Sequence, residues 1–375
     1  MPKVEVSARS DEGVSRDLLR LGFLSAHDPF DRRAFSGTTF HAGRALRALD
    51  GVAVTTPGWK KPGSLARLTA RARRRLTAIP RGSELSGLDV LIALVSSDLV
   101  DALPDGHPPL LHVTDATPAF LRDFYGHDVS DDVDRREARV LARAAIGVYS
   151  SDYMARRAAH EFDLAPERVS ALPFGVNLDA WPRSAVAKGP MAPARILFVG
   201  TEWKRKGGDI ALAAFETLRT EGMDVHLDLV GAEPEVPLPE GVTVHGYLHK
   251  NRSSDARRLD ALFGAAHLFM LPTRADCTPM VIAEAGVHAT PVLVTETGGI
   301  RSLVENGVNG QLLPEGSDPK DWARAAAAIL SETSAHTKLS HSAYEFASTR
   351  LTWDAWARGI AELARGVASG ARSRV

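Results

Sequence analysis

The chain has 375 residues, enough for two ordinary domains and too many for one ordinary core. At 44% hydrophobic and 24% charged residues it is globular in composition, which excludes a wholly disordered chain. A formal net charge of -1 leaves no global field to recruit nucleic acid, and a single cysteine, Cys277, excludes an intramolecular disulfide and a multi-cysteine zinc site.

Met1 to Asp17 is polar and charged with no signal-peptide core, and no apolar run reaches the roughly 18 residues of a membrane span. A cytoplasmic protein is expected. Strand-like runs then follow at Leu19–Ser25, Val52–Pro57, Asp89–Val95, Leu110–Thr114, Ile146–Ser150 and Val169–Pro173. Segments with helical spacing, such as Thr38–Leu49 and Asp134–Ala145, lie between them. Pro182 to Pro193 is rich in Ala, Pro and Gly and has no period, which reads as a linker. The rhythm resumes at Arg195–Val199, Val225–Val230, Val242–His245, Leu268–Leu271 and Pro291–Val294. Most runs are continuously apolar, as strands buried on both faces are. This alternation predicts an α/β chain of two Rossmann-like domains with parallel sheets, residues 1–181 and 194–351. A last strong helix is expected around Trp353 to Arg365, with a frayed tail from Gly366 to Val375.

In open parallel sheets ligands bind beyond the carboxyl ends of the strands. After Arg195–Val199 the chain reads Gly200-Thr-Glu-Trp-Lys-Arg-Lys-Gly-Gly208, placing Lys204, Arg205 and Lys206 in a strand-to-helix turn. Its glycines allow close backbone approach, and a diphosphate there would meet cations and a helix N-terminus together. A solvated basic turn is the competing reading. The absence of a P-loop and of G-x-G-x-x-G argues against ATP or NAD. After Leu268–Leu271 comes Thr273-Arg-Ala-Asp276-Cys-Thr278-Pro279-Met-Val-Ile-Ala-Glu284. Thr278 and Pro279 form a cap and first-turn pair, so a helix is predicted to start there with free amides near Pro279, Met280 and Val281. Asp276 precedes that helix and Glu284 lies inside it with no acidic–basic partner at i+4, only His288. A carboxylate suits two neighbouring sugar hydroxyls because it accepts two hydrogen bonds.

The segment Asp276–Glu284 resembles the E-x7-E signature of the family 4 retaining glycosyltransferases, which have the glycosyltransferase-B fold. Lys206-Gly207 is similar to that family's diphosphate-binding turn. Val304 to Gly310, after Gly298-Gly299, resembles its downstream loop, and Leu172 to Asn177 the closing segment of its first domain. The match runs from about Leu21 to Leu313 in order. It implies two facing domains around a cleft, the first binding acceptor and the second the nucleotide-sugar donor. It also implies that a terminal helix at about 352–375 packs back on the first domain. Lys206 would hold the diphosphate with Arg205 as second cation, Glu284 the ribose, and Asp276 the transferred sugar. The amides at Met280 and Val281 would cap phosphate, with Gly200, Gly231, Tyr247 and Leu248 framing the nucleotide. Gly37, in Phe35-Ser-Gly-Thr38, resembles the glycine loop near donor and acceptor, and His112 the active-site histidine near the sugar.

Three positions depart from the family pattern. Asp276 stands in place of glutamate, Thr201 in place of an arginine, and Arg301-Ser302 in place of Pro-Glu. Lys204 or Arg205 would supply the missing charge. His112 reads equally well as a satisfied core histidine, and Cys277 as a small packing residue. His27 and Asp28 either meet an acceptor or cap their loop. No histidine spacing suits a metal, so none is expected, nor any cofactor beyond the nucleotide-sugar co-substrate. Ala66–Gly82, with Arg67, Arg71, Arg73, Arg74, Arg75 and Arg81, offers membrane contact, but a solvated face is the favoured reading. The expected reaction is sugar transfer from a nucleoside diphosphate, UDP before GDP, to a hydroxyl acceptor. The rivals are a nucleotide-sugar epimerase and a non-catalytic nucleotide-sugar-binding protein.

Overall fold

The computed structural model describes residues 18–59, 79–234 and 236–372. The basic stretch from Arg67 to Arg75 therefore lies outside the described residues, as does the N-terminal segment before residue 18. Strands β1 (Leu19–Ser25), β2 (Val52–Thr55), β3 (Val90–Leu94), β4 (Leu110–Thr114), β5 (Ile146–Tyr149) and β6 (Val169–Ala171) form one sheet in the order β2-β1-β3-β4-β5-β6. Strands β7 (Ala194–Gly200), β8 (Val225–Gly231), β9 (Val242–Val244), β10 (Leu268–Leu271), β11 (Val292–Thr295) and β12 (Gly310–Leu313) form the second, in the order β12-β11-β10-β7-β8-β9. All pairings are parallel, for instance Leu21 beside Val54 and Val90, or Val199 beside Val230. Each residue of β3, β4, β10 and β11 is buried, which is why these segments read as unbroken apolar runs.

Each sheet has helices on its faces, giving two Rossmann-like domains. The helix Trp353–Arg372 begins after the second sheet yet joins the core of the first. Trp353, Trp356, Ala357, Ile360, Ala361, Ala364 and Ala368 form its apolar stripe, and they cluster with Leu21, Phe23, Ile92 and Leu94. Burying Ile360 alone contributes about 1.5–3 kcal/mol. The helix also runs on through Gly366 to Arg372, where a frayed tail was expected, because Ala364 and Ala368 extend the same stripe.

Two other differences have local causes. β12 escapes sequence reading because Gly310-Gln-Leu-Leu313 is a short edge strand with alternating burial, held only by β11. The helix predicted from Asp134 starts at Asp131, since Asp131, Asp132 and Asp134 all favour a helix N-terminus. The linker is anchored: Lys188 Nζ donates to Phe263 O, Gly264 O and His288 O at 3.1, 3.1 and 2.8 Å, and to Thr290 Oγ1 at 2.8 Å. Among the described residues no helix is long and apolar enough to cross a membrane.

Candidate active site

The carboxyl ends of β7 and β8 are Gly200 and Gly231, and a cavity of about 390 Å³ opens beside them. Gly200, Lys206, Gly231, Tyr247 and Leu248 line it, with Pro279, Met280 and Val281 opposite the glycines in sequence but beside them in space. The first domain closes the cavity with Arg32, Arg33 and Ser36, so it lies between the domains. A larger cavity of about 730 Å³ adjoins it and shares Arg32, Ser36, Lys250 and Asn251.

Lys206 comes from a short helical turn, Trp203–Lys206, ended by Gly207 at φ 76°. A side chain on Gly207 would meet Pro272 O at 1.9 Å, so only glycine lets this turn press against the end of β10. The turn directs Lys206 Nζ to Asp276 Oδ2 at 2.5 Å, in an ion pair with side chains 14% and 7% exposed. Asp276 sits on a loop held from both sides. A side chain at Gly298 would stand 2.0 Å from Asp276 O, and the first domain approaches through Tyr125, whose hydroxyl accepts from Cys277 N at 2.8 Å.

The interposed turn also changes an expectation. The following helix, Gly208–Thr220, starts under the Trp203 ring, and its first-turn Asp209 pairs with Arg274 and Lys204. Its N-terminus is thus occupied by side chains of its own domain. The helix Met280–Val287 instead presents Met280 and Val281 to the cavity, where first-turn amides have no intrahelical partner. Pro279, not Thr278, holds the cap position; the Thr278 hydroxyl is shared with Ser150 Oγ at 2.8 Å across the domains.

Glu284 is fully buried within that helix. Its Oε1 takes the ammonium of Lys250, while Oε2 is buried with no hydrogen-bond partner. Lys250 lines both cavities and its side chain is 40% exposed. No sequence signal marks it, because its partner is 34 residues away and local periodicity says nothing of that distance. His288, the helical neighbour at i+4, donates from Nδ1 to the backbone Glu284 O at 2.8 Å rather than to its carboxylate.

Other expected residues are placed elsewhere. Arg205 does not line the cavity: its guanidinium pairs with Glu202, donates to Ala275 O at 2.8 Å and lies 4.9 Å over the Tyr125 ring. The hydrogen bonds Arg205 donates to Glu202 raise the Arg205 pKa and hold Glu202 below the usual carboxylate range. Lys204 is largely exposed beside Asp209. Neither supplies the charge expected opposite Thr201, which itself lines the cavity; Lys250, Arg32 and Arg33 stand there instead.

His112 is a core histidine. It sits mid-strand in β4, paired in register with Ala93 and Gly147, and is fully buried. Its Nε2 donates to Glu137 Oε1 at 2.8 Å, and Ser97 Oγ donates to Glu137 Oε2 at 2.7 Å. Burial opposes the Glu137 charge, yet His112 and Ser97 together hold its carboxyl below the usual range. The strand ends two residues later, and His112 lines neither interdomain cavity. Gly37 is buried at φ 88° as the cap of the helix Thr38–Arg47, and its neighbour Ser36 is the residue that meets both cavities. Asp28 Oδ1 accepts from Phe30 N at 2.9 Å, capping its own loop. Cys277 donates to Asp115 O; burial, then Asp115 and Asp276, push its thiol pKa well up, so it is a packing residue. Burial likewise raises Tyr125, with Asp276 adding to it. Among the described residues no group of three or more His, Cys, Asp or Glu is placed to hold a metal ion.

The lysine turn, the glycine strand ends and the helix Met280–Val287 all fall within one stretch that matches a family model. Residues 193–332 match the model described as Glycosyl transferases group 1. This match spans most of the second domain, from β7 past β12. Similar curated proteins are D-inositol 3-phosphate glycosyltransferases, that of Xylanimonas cellulosilytica at 28% identity over 246 residues and that of Thermobispora bispora at 29% over 228. These alignments cover 60% and 56% of the chain, and the chain spans only 58% and 53% of those relatives. The whole architecture is the glycosyltransferase-B fold. Sucrose-phosphate synthase from Thermosynechococcus elongatus matches 94% of this chain and 100% of its own at a TM-score of 0.66 and 18% identity. Anabaena HepE in complex with UDP matches 93% and 100% at 0.62 and 17%.

Proposed function

We propose that the chain transfers a sugar from a nucleoside diphosphate, UDP before GDP, to a hydroxyl acceptor, with the anomeric configuration retained. The observation that carries this reading is the convergence of Lys206 with Met280 and Val281, the first-turn residues of the helix Met280–Val287, on one interdomain cavity. An ammonium and free amides stabilise an oxyanion, and here they are fixed before any ligand arrives. The named activity of the similar D-inositol 3-phosphate glycosyltransferases, and the UDP in the HepE structure, support the donor class.

In this reading Glu284 receives the ribose through the oxygen that has no partner, while Lys250 holds the other. Tyr247, Leu248 and Gly231 frame the base, and Gly200 lets the backbone come close to the diphosphate. Lys206, backed by Lys250, takes the diphosphate charge; Asp276 turns from Lys206 to the sugar. The anomeric C–O bond breaks with its electron pair passing to the diphosphate. The acceptor oxygen bonds the anomeric carbon on the same face, and its proton passes to a leaving phosphate oxygen. No divalent cation is needed, because preorganised cations and amides perform the charge stabilisation. The chain works in the cytoplasm, where nucleotide sugars are at hand.

The test is a mass-spectrometric screen of nucleotide sugars against sugar, polyol and polyol-phosphate acceptors. Glycosylated product with release of nucleoside diphosphate supports the reading. Conversion of the donor sugar without acceptor would make the protein an epimerase, and tight nucleotide binding with no product would make it a binding protein.

A further inference from the structure

The turn Phe35–Gly37 joins β1 to the helix Thr38–Arg47 through three successive left-handed residues, with φ of 48°, 54° and 88°. Phe35 and Ser36 carry side chains, and such a backbone persists only when its surroundings hold it. The group that holds it comes from the far end of the first domain. Asn177 Nδ2 donates to Ser36 O at 3.1 Å and to Thr38 Oγ1 at 3.0 Å, and its Oδ1 accepts from Trp353 Nε1 at 2.8 Å. Both amide hydrogens and the oxygen are used, and Asn177 is 9% exposed.

Trp353 opens the helix that returns from the second domain, and Val176 N donates to Leu351 O at 3.0 Å. The two chain crossings between the domains therefore lie side by side, tied to each other at Val176 and to the turn at Asn177. Phe174 supports the same place, its ring 5.5 Å from that of Trp353. At the other end of the tie Ser36 forms wall common to both cavities, and Asn177 itself lines the larger.

Resting on the transfer reading above, we propose that Asn177 is a positioning residue. It fixes the strained turn at the cleft and ties it, through Trp353, to the crossing between the domains. The side chain touches neither donor phosphates nor sugar; it acts through the position of Ser36 and the start of the following helix. Asn177→Asp keeps the size and loses the donation to Ser36 O, which a carboxylate cannot make. Trp353→Phe keeps an aromatic ring beside Phe174 and Trp356 and removes the N–H that orients the amide, with some loss of packed ring area.

The experiment compares the wild-type full chain with both variants in three measurements: hydrogen exchange over Phe35–Thr39, calorimetric affinity for uridine diphosphate, and turnover of the best donor–acceptor pair. Small misplacements in an active site cost about tenfold to a hundredfold in rate, and that is the fall in kcat expected for Asn177→Asp. Exchange in the turn should rise in both variants, while uridine diphosphate affinity stays near wild type because its holders are on the second domain. A merely structural role would lower stability without this split between kcat and nucleotide affinity. An unchanged kcat in folded Asn177→Asp overturns the proposal, as does an unchanged turn in Trp353→Phe, and the second result decides if the first variant does not fold. If the wild type turns over nothing while the turn loosens in both variants, the transfer reading falls and the clamp stands.

Discussion

Lys206 and Asp276, 70 residues apart, form a nearly buried ion pair 2.5 Å long at the mouth of the interdomain cavity. Two residues read from sequence as serving different parts of a donor are ion-paired with each other. The pair fixes the position of the Lys206 ammonium at the cavity wall.

Lys206→Ala is expected to lower kcat on the order of 10²–10³-fold, the usual loss for one preorganised group on a developing oxyanion. Stability should fall as well, because the nearly buried Asp276 loses its counter-ion, so kcat is compared on folded protein. Steady-state kinetics beside a thermal melt make the measurement, and near wild-type kcat would remove Lys206 from the mechanism.

Glu284→Gln should weaken nucleoside diphosphate binding by about tenfold or more, since hydrogen bonds to charged groups contribute roughly 1.5–3 kcal/mol. Lys250→Met should act in the same direction, because it leaves a fully buried carboxylate without its counter-ion. Calorimetry with uridine diphosphate checks both, and unchanged affinity in either counts against the ribose assignment.

His112→Ala should leave turnover close to wild type and cost about 3 kcal/mol in stability, the scale for breaking one partner of a buried pair. Glu137 would keep only Ser97 among its present side-chain partners. Urea unfolding and kinetics on the same preparation decide it; a large loss of kcat with little loss of stability would return His112 to the active site.

His41 gives a pH dependence of defined sign. Burial, then the neighbouring Arg44, push its pKa down to about 4 from an ordinary 6.5, against the pull of Asp179; Arg32 and Lys250 add to the push. The unfolded chain thus takes up a proton near pH 6.5 that the folded chain refuses until about pH 4. Stability from this group is complete above pH 6.5 and is lost as pH falls through that window. His41→Gln should flatten the fall of Tm across it, and identical slopes in the two proteins would reject the assignment.

Exhaustive chelation should leave transfer intact. Lys206 and Lys250 already line the cavity beside the helix start at Met280 and Val281, so a divalent cation would repeat charge that is present. Loss of activity on chelation with return on adding magnesium or manganese would replace this mechanism with a metal-assisted one.

The amino-acid sequence by itself determined the two parallel sheets, because strands buried on both faces must be continuously apolar and their connecting helices must show a different period. It also located Gly200, Lys206, Gly231 and the helix Met280–Val287, all set by local geometry at strand ends. Only the tertiary structure decided the partners: Lys206 with Asp276, Lys250 with Glu284, Arg205 with Glu202 beneath Tyr125, and His112 with Glu137. A long side chain answers to whichever buried charge the fold brings within reach. That depends on β7 lying beside β10, on a second domain meeting the first, and on Trp353 returning to Asn177. Periodicity records which face of a segment is apolar, and it carries no information about which distant segment that face will meet.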